Sequence, residues 1–275
     1  MNMNIFQVAL VQPLANGLVL FYNLLFHNMG LAIIGFSLVL RFVLNPLTKP
    51  YMESMKKMKD MEPELRKIKE KFKDDKKKQM EAQTQFYKEK GINPGGGCLP
   101  YILQIIVLIA LFQVFNKFLS GDGILKLNDL LYAPLKFPEG HMINTWFIYR
   151  DITRPDVFSI PGIPFPVPGP ILILAALVQF ISAKIMAPVV KKQEKMAEKT
   201  KQPEDNVQTA MQSSMIYTFP LFTLVFGLKF PTGLALYWFL FSLWQTVQQY
   251  QSSGWGGLTP WISKLGLIKS EDTKK

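Results

Sequence analysis

The chain has 275 residues, a formal net charge of +11 and 49% hydrophobic residues, among them 21 Phe, 13 Met and 5 Trp. One cysteine, Cys98, excludes an intrachain disulfide framework and a cysteine-based zinc site, and two histidines, His27 and His141, argue against a multi-His metal centre. The apolar residues come in blocks too long for globular helices and the charge lies in segments flanking them, which points to a polytopic α-helical membrane protein rather than a nucleic-acid binder.

Residues 1–28 are apolar but punctuated. Asn16, Asn23 and His27 recur at helical spacing and Gln12-Pro13 interrupts the start. The pattern predicts an amphipathic helix lying in the membrane interface, with an extra span as the alternative. No Lys or Arg precedes Arg41. The basic n-region of a cleaved signal is therefore missing, and no positive charge holds the amino terminus on the cytoplasmic side.

Residues 29–49 form the first expected span, with Arg41 in its middle. A guanidinium at that depth costs roughly 2.5–3.5 kcal/mol on insertion scales. The other apolar blocks hold no Asp or Glu, so Arg41 is expected to face a wet cavity, its charge answered by a visiting group. The alternative is a structural charge bonded to backbone carbonyls.

Residues 50–97 are hydrophilic. Between 50 and 92 there are thirteen basic and nine acidic residues, the heaviest vote for a cytoplasmic location. Pro63 suits a first helical turn, Asp74-Asp75 a turn, and Gly91 a C′ cap, with Asn93-Pro94 and Gly95–Gly97 ending a helical hairpin. Its apolar positions, Met55, Met58, Met61, Leu65, Ile68, Phe72, Met80 and Phe86-Tyr87, make a thin seam. Lys76–Lys78 could meet anionic lipid heads or ribosomal RNA, or form a solvated tip.

A second span is expected at 98–118, an extracytoplasmic loop rich in Gly, Pro and aromatics at 119–168, and a third span at 169–188 with Lys184 snorkelling at its inner end. A charged cytoplasmic loop follows at 189–210, then spans at 211–229, containing Pro220, and 233–251, and a cytoplasmic tail at 252–275. The spans carry Gln104, Gln113, Gln179, Gln212 and Gln245, which in lipid face other helices or a wet space. Trp238 lies too far inside its span for an interfacial belt, so it is expected in packing or a cavity wall. There is no HExxH, GxSxG or P-loop, and Cys98 has no neighbouring His, so neither an enzyme nor a bound cofactor is expected.

Three blocks carry a further signal: GLAIIGFSLVLRFVLNPLTKPYMESMKKMKDMEPEL, YKEKGINPGGGCLPYILQ and FGLKFPTGLALYWFLFSLWQTVQQY. Their content and order resemble the YidC/Oxa/Alb membrane-protein insertases, in particular the short bacterial YidC type. The resemblance implies a five-helix transmembrane core around a hydrophilic groove, a cytoplasmic hairpin that receives substrates, and a multi-pass protein of the bacterial cytoplasmic membrane, amino terminus outside and carboxyl terminus inside. It puts Arg41, Gln104, Gln179 and Trp238 in the groove. It also implies nascent membrane proteins and the lipid bilayer as partners, with the ribosome and the Sec translocon in view and no DNA. The competing reading is an anion channel or transporter that uses Arg41.

Overall fold

The structure is a computed structural model, and it describes residues 4–72, 75–91, 99–119, 123–186 and 203–266. Asp74, Gly95–Gly97, Cys98 and most of the loop expected at 189–210 lie outside the described residues. The chain divides into two compact units, one of Met1–Val43, Gln104–Ala183 and Ser214–Val247, the other of Leu44–Leu103, Lys184–Ser213 and Gln248–Lys275.

In the first unit, Asn4 and Gln7 open a helix by reciprocal capping: the Gln7 N–H donates to Asn4 Oδ1 at 2.8 Å and the Asn4 N–H to Gln7 Oε1 at 3.1 Å. A π-helical turn, Gln7–Val11, precedes α1 (Gln12–Leu24), and the Gln12 N–H reaches back to the carbonyl of Gln7. The wide turn absorbs Pro13, which has no N–H to donate. Val11, Leu14, Ala15, Leu18, Val19 and Tyr22 are buried along one stripe. Asn16 does not share an exposed polar face with Asn23 and His27. It is buried, donating to the carbonyls of Gln12 and Leu130 at 2.8 Å each and accepting from the Tyr132 N–H at 2.7 Å. Sequence spacing does not show this because two of its three partners, Leu130 and Tyr132, lie more than a hundred residues away.

Helix α2 (Met29–Asp60) runs through Pro46 and Pro50, so the helix does not end where the first span was expected to hand over to the hairpin. In the first unit it packs Ala32, Ile33 and Phe36 into a core shared with α5 (Leu99–Leu119), α7 (Pro170–Met186) and α9 (Thr232–Ser253), which contribute Ala110, Leu111, Val114, Phe115, Leu172, Ala175, Leu234 and Ala235. Helix α8 (Pro203–Gly227) keeps Pro220 within it. Among the described residues, one helical stretch, Met29–Thr48, is long and apolar enough to cross a membrane; Ile102–Lys117, Pro170–Ile185 and Ile216–Gly227 are shorter apolar helices. The described fold is thus mostly helical. Amides and hydroxyls such as Gln245, Thr246, Gln248 and Gln249 make the second half of α9 polar.

Residues 123–169 are not a plain loop. They hold α6 (Gly123–Asn128), a 3-10 turn and two small antiparallel pairs, β1 (Trp146–Phe147) with β2 (Arg150–Asp151) and β3 (Val157–Phe158) with β4 (Val167–Pro168). Polar side chains organise this segment. Asn128 brackets Phe137, donating to its carbonyl at 2.8 Å and accepting from its N–H at 2.9 Å. Asp156 is fully buried, accepting from the Tyr149 hydroxyl at 2.8 Å and from the Leu172 N–H, in the first turn of α7, at 2.9 Å. At the start of α9, the N–H groups of Thr232 and Gly233 donate to the carbonyls of Arg154 and Ile152, each at 2.8 Å. The segment therefore satisfies helix-end donors that would otherwise be orphaned.

In the second unit, α3 (Glu62–Lys71) and α4 (Lys76–Glu89) are successive helices, with Pro63 in the first turn of α3. Asp75 caps α4 by accepting from the Lys78 N–H at 3.1 Å, and that bond holds its carboxyl below the usual carboxylate range. Gly91 takes φ +64°, as a C′ glycine should. Lys184 is buried, with its ammonium 4.9 Å from the ring centre of Trp261 in the short helix α10 (Thr259–Lys264).

Candidate functional site

The site is built on α2, α5 and α9 within the first unit. On α2, Leu38, Val39, Phe42 and Val43 are exposed while Ser37 and Arg41, four residues apart, are buried. An apolar outer surface thus leaves the polar stripe facing the protein. Ser37 donates to the Ile33 carbonyl at 2.5 Å, which keeps its hydroxyl within the helix.

Arg41 is only 7% exposed, and its guanidinium carbon lies 4.4 Å from the ring centre of Phe241. That is cation–π geometry, worth on the order of 2 kcal/mol or more when desolvated. In the structure the Phe241 ring lies over one face of the guanidinium. Tyr237, one turn before Phe241 on α9, is buried within electrostatic reach of Arg41. Its hydroxyl donates to Gln104 Oε1 on α5 at 3.2 Å. Gln104 is itself buried, and its Nε2 has no hydrogen-bond partner among the described residues. The indole Nε1 of Trp244, one turn beyond Phe241, is also buried without a partner there, while its ring meets Phe42 edge-on at 5.1 Å.

Of the four residues singled out from the sequence, Arg41 and Gln104 are brought together through Tyr237. Gln179 sits half-buried on α7, its Oε1 accepting from the hydroxyl of Thr223 on α8 at 2.5 Å. Trp238 is half-buried on α9, about 100° round the helix from Tyr237. Beyond those four, the structure brings in Tyr237, Phe241 and Thr223, of which the sequence offers Tyr237 only as an interfacial belt or packing residue. The first two carried a readable signal, since Tyr237, Phe241, Trp244 and Gln245 recur at the i, i+4, i+7 and i+8 positions of one face. Thr223 carried none, because a Thr in an apolar helix usually bonds its own backbone; this one also bonds the Phe219 carbonyl, at 3.1 Å.

Chemically, the arrangement is a cation held over an aromatic ring, with two amide or indole N–H donors left for an acceptor. It contains no nucleophile–base pair. It suits non-covalent handling of groups rich in oxygen, such as carboxylates, backbone carbonyls or water.

The family described as 60Kd inner membrane protein matches residues 20–254. A protein of Fusobacterium nucleatum named membrane protein insertase YidC is 30% identical over 223 residues, covering 81% of this chain and 85% of that protein. Proteins of the same name from Chlorobium phaeovibrioides and Chlorobium limicola are 31% and 32% identical over 88% of this chain. The chain spans only 37% and 36% of the length of those two relatives. The match runs from α1 through the end of α9 and takes in Arg41 and every residue grouped around it, so the chain belongs to the 60Kd inner membrane protein family, that of the YidC/Oxa/Alb insertases.

Proposed function

We propose that this chain is a membrane protein insertase that moves small membrane proteins from the cytoplasm into the lipid bilayer without nucleotide hydrolysis. The observation that carries the reading is the buried Arg41–Tyr237–Gln104 group, with a cation and an unsatisfied amide donor on helices of largely apolar surroundings. The names of the relatives support it. In this proposal five spans, at 29–49, 98–118, 169–188, 211–229 and 233–251, surround a hydrated groove lined by Arg41, Gln104, Gln179 and Trp238. The protein is multi-pass in the bacterial inner membrane, amino terminus outside and carboxyl terminus inside. The hairpin 50–97 receives the client, and residues 1–28 lie along the interface.

Magnitudes favour a groove that lowers a barrier over one that drives the reaction. A carboxylate in a client tail costs roughly 2.5–3.5 kcal/mol at the membrane centre on insertion scales. A positive charge 4 Å away returns about 4 kcal/mol at an effective dielectric of 20. Arg41 can therefore offset one acidic residue during passage. The net driving force comes from the client span, since each large apolar side chain removed from water contributes about 1.5–3 kcal/mol.

The test is site-specific crosslinking. A photoreactive residue at Gln104 or Gln179 should capture the span of a ribosome-stalled client in membranes, and one at the exposed Leu177 should capture it later in insertion. Failure of Gln104 and Gln179 to crosslink any client, together with Arg41-dependent anion flux into liposomes, would sink the insertase reading in favour of a channel.

A further inference from the structure

We propose that the β3–β4 hairpin is a membrane-interface wedge, seated at the boundary of lipid headgroups and acyl chains beside the amino-terminal end of α7. Residues 157–170, VFSIPGIPFPVPGP, contain no charged residue. Phe158, Ile160, Ile163 and Phe165 are exposed, Phe165 by 65%. The preceding eight residues, YRDITRPD, carry four charges, so the apolar character is confined to the hairpin. A patch of this kind on a surface needs a covering.

Three observations identify lipid as that covering. First, the hairpin continues directly into a face suited to lipid: Asp156 accepts from the Gly169 N–H through its carbonyl at 2.7 Å and from the Leu172 N–H through its carboxylate at 2.9 Å. Helix α7 then presents Ile173, Leu174, Leu177 and Ile181 outward. Second, the uncharged stretch of α7 ahead of Lys184, residues 170–183, is 14 residues, about 21 Å long against a hydrocarbon core of about 30 Å. An apolar hairpin at the other end supplies the missing length. Third, five of the fourteen residues are proline, which brings no N–H in need of an acceptor and so suits a place poor in water.

The hairpin is also held rigidly enough to act as a wedge. The Arg150 guanidinium donates to the Val157 carbonyl at 2.7 Å and stands 5.5 Å from the Phe158 ring centre, and the Tyr149 ring stacks on Phe158 at 6.1 Å. Gly162, at φ +88°, turns the tip where a side chain would be strained. The base is thus pinned by charged and polar residues while the tip is purely apolar, an arrangement that fits a boundary between water and lipid.

The inference rests on reading α7 as a span, and the test separates the two. The whole protein, with Cys98→Ser, carries a single environment-sensitive fluorophore through Phe165→Cys, Ile163→Cys, Leu177→Cys or Glu139→Cys. It is placed in phosphatidylethanolamine–phosphatidylglycerol vesicles containing acyl chains brominated near the headgroup or near the bilayer centre. The labels at 165 and 163 should be quenched most by shallow bromines, the label at 177 by deeper ones, and the label at 139 by neither. Quenching at 177 with none at 165 and 163 would overturn the wedge alone. Shielding of 165 and 163 from aqueous iodide without bromine quenching would overturn it in favour of a protein partner. No quenching at 177 would remove the span reading and the wedge with it.

Discussion

The guanidinium of Arg41 lies 4.4 Å from the centre of the Phe241 ring, so the cation of α2 is seated on an aromatic face of α9. A ring attracts any cation placed over it, whereas a carboxylate fork would demand the planar guanidinium. Arg41→Lys should therefore retain most insertion of a client with an acidic tail, and Arg41→Ala should lose most of it. Phe241→Leu, which keeps the bulk and removes the π face, should cost about 0.5–2 kcal/mol, a fall of roughly two- to thirtyfold in client capture. Liposome insertion assays with acidic and neutral tails would check this. Equal damage from Lys and Ala for every client would mark Arg41 as a structural residue instead.

The Tyr149 hydroxyl donates to buried Asp156, and burial, followed by that bond, pushes the phenol well above its ordinary value. The folded state therefore holds this proton more tightly than the unfolded chain does. Its contribution to stability is complete below the unfolded tyrosine value, about 10, and is lost as pH rises from there through the folded value. Melting in detergent should show an alkaline loss of stability that is smaller in Tyr149→Phe. At neutral pH the same variant should be destabilised by about 1–3 kcal/mol, since it leaves a buried carboxylate oxygen without its donor.

Gly233 begins α9 where three helices meet. A methyl group there would stand 2.6 Å from the Phe115 ring and 3.0 Å from Ile33. Both neighbours are buried and packed, so neither can move cheaply. Gly233→Ala should lower stability by about 1–3 kcal/mol, despite the better helix propensity of alanine. A melting temperature equal to or above that of the parent would show that the three helices have slack at this point.

Much of this architecture is legible in the sequence because it rests on local patterns. The apolar blocks, Pro63 in the first turn of α3, the Gly91 cap and Arg41 within an apolar helix each follow from a few neighbouring residues. What escaped depends on distant pairing. Asn16 looks like part of a polar face until the Leu130 carbonyl and Tyr132 N–H arrive, and Asp156 looks like a loop charge until Leu172 lies beside it. The segment 119–168 reads as a loop for that reason: its strands are two residues long, too short for periodicity, and much of the order in its described residues comes from side chains bonding to backbone. In the candidate site, Arg41 and Gln104 could be found as polar residues out of place. The Phe241 ring over Arg41 shows in the sequence only as one position of the face shared with Tyr237, Trp244 and Gln245, and that spacing does not name its partner on α2.

The proposed topology rests on two segments of opposite character, and single cysteines can separate them. The hairpin has thirteen basic residues between 50 and 92, whereas 119–168 has basic and acidic residues nearly in balance, and basic loops stay on the cytoplasmic side. Lys77 and Glu139 are both exposed, so a cysteine at either should react freely and disturb little. Glu139 is a better site than neighbouring Gly140, whose φ of +77° would strain a side chain. In a Cys98→Ser background, a membrane-impermeant maleimide added to intact cells should label Glu139→Cys and spare Lys77→Cys. Inside-out vesicles should show the reverse. Labelling of both from the same side would require an even number of crossings between them and would refute the five-span arrangement with its amino terminus outside. Labelling of Lys77→Cys in intact cells would in addition require a different path for the client to the Arg41 group, because the hairpin could no longer deliver it from the cytoplasm.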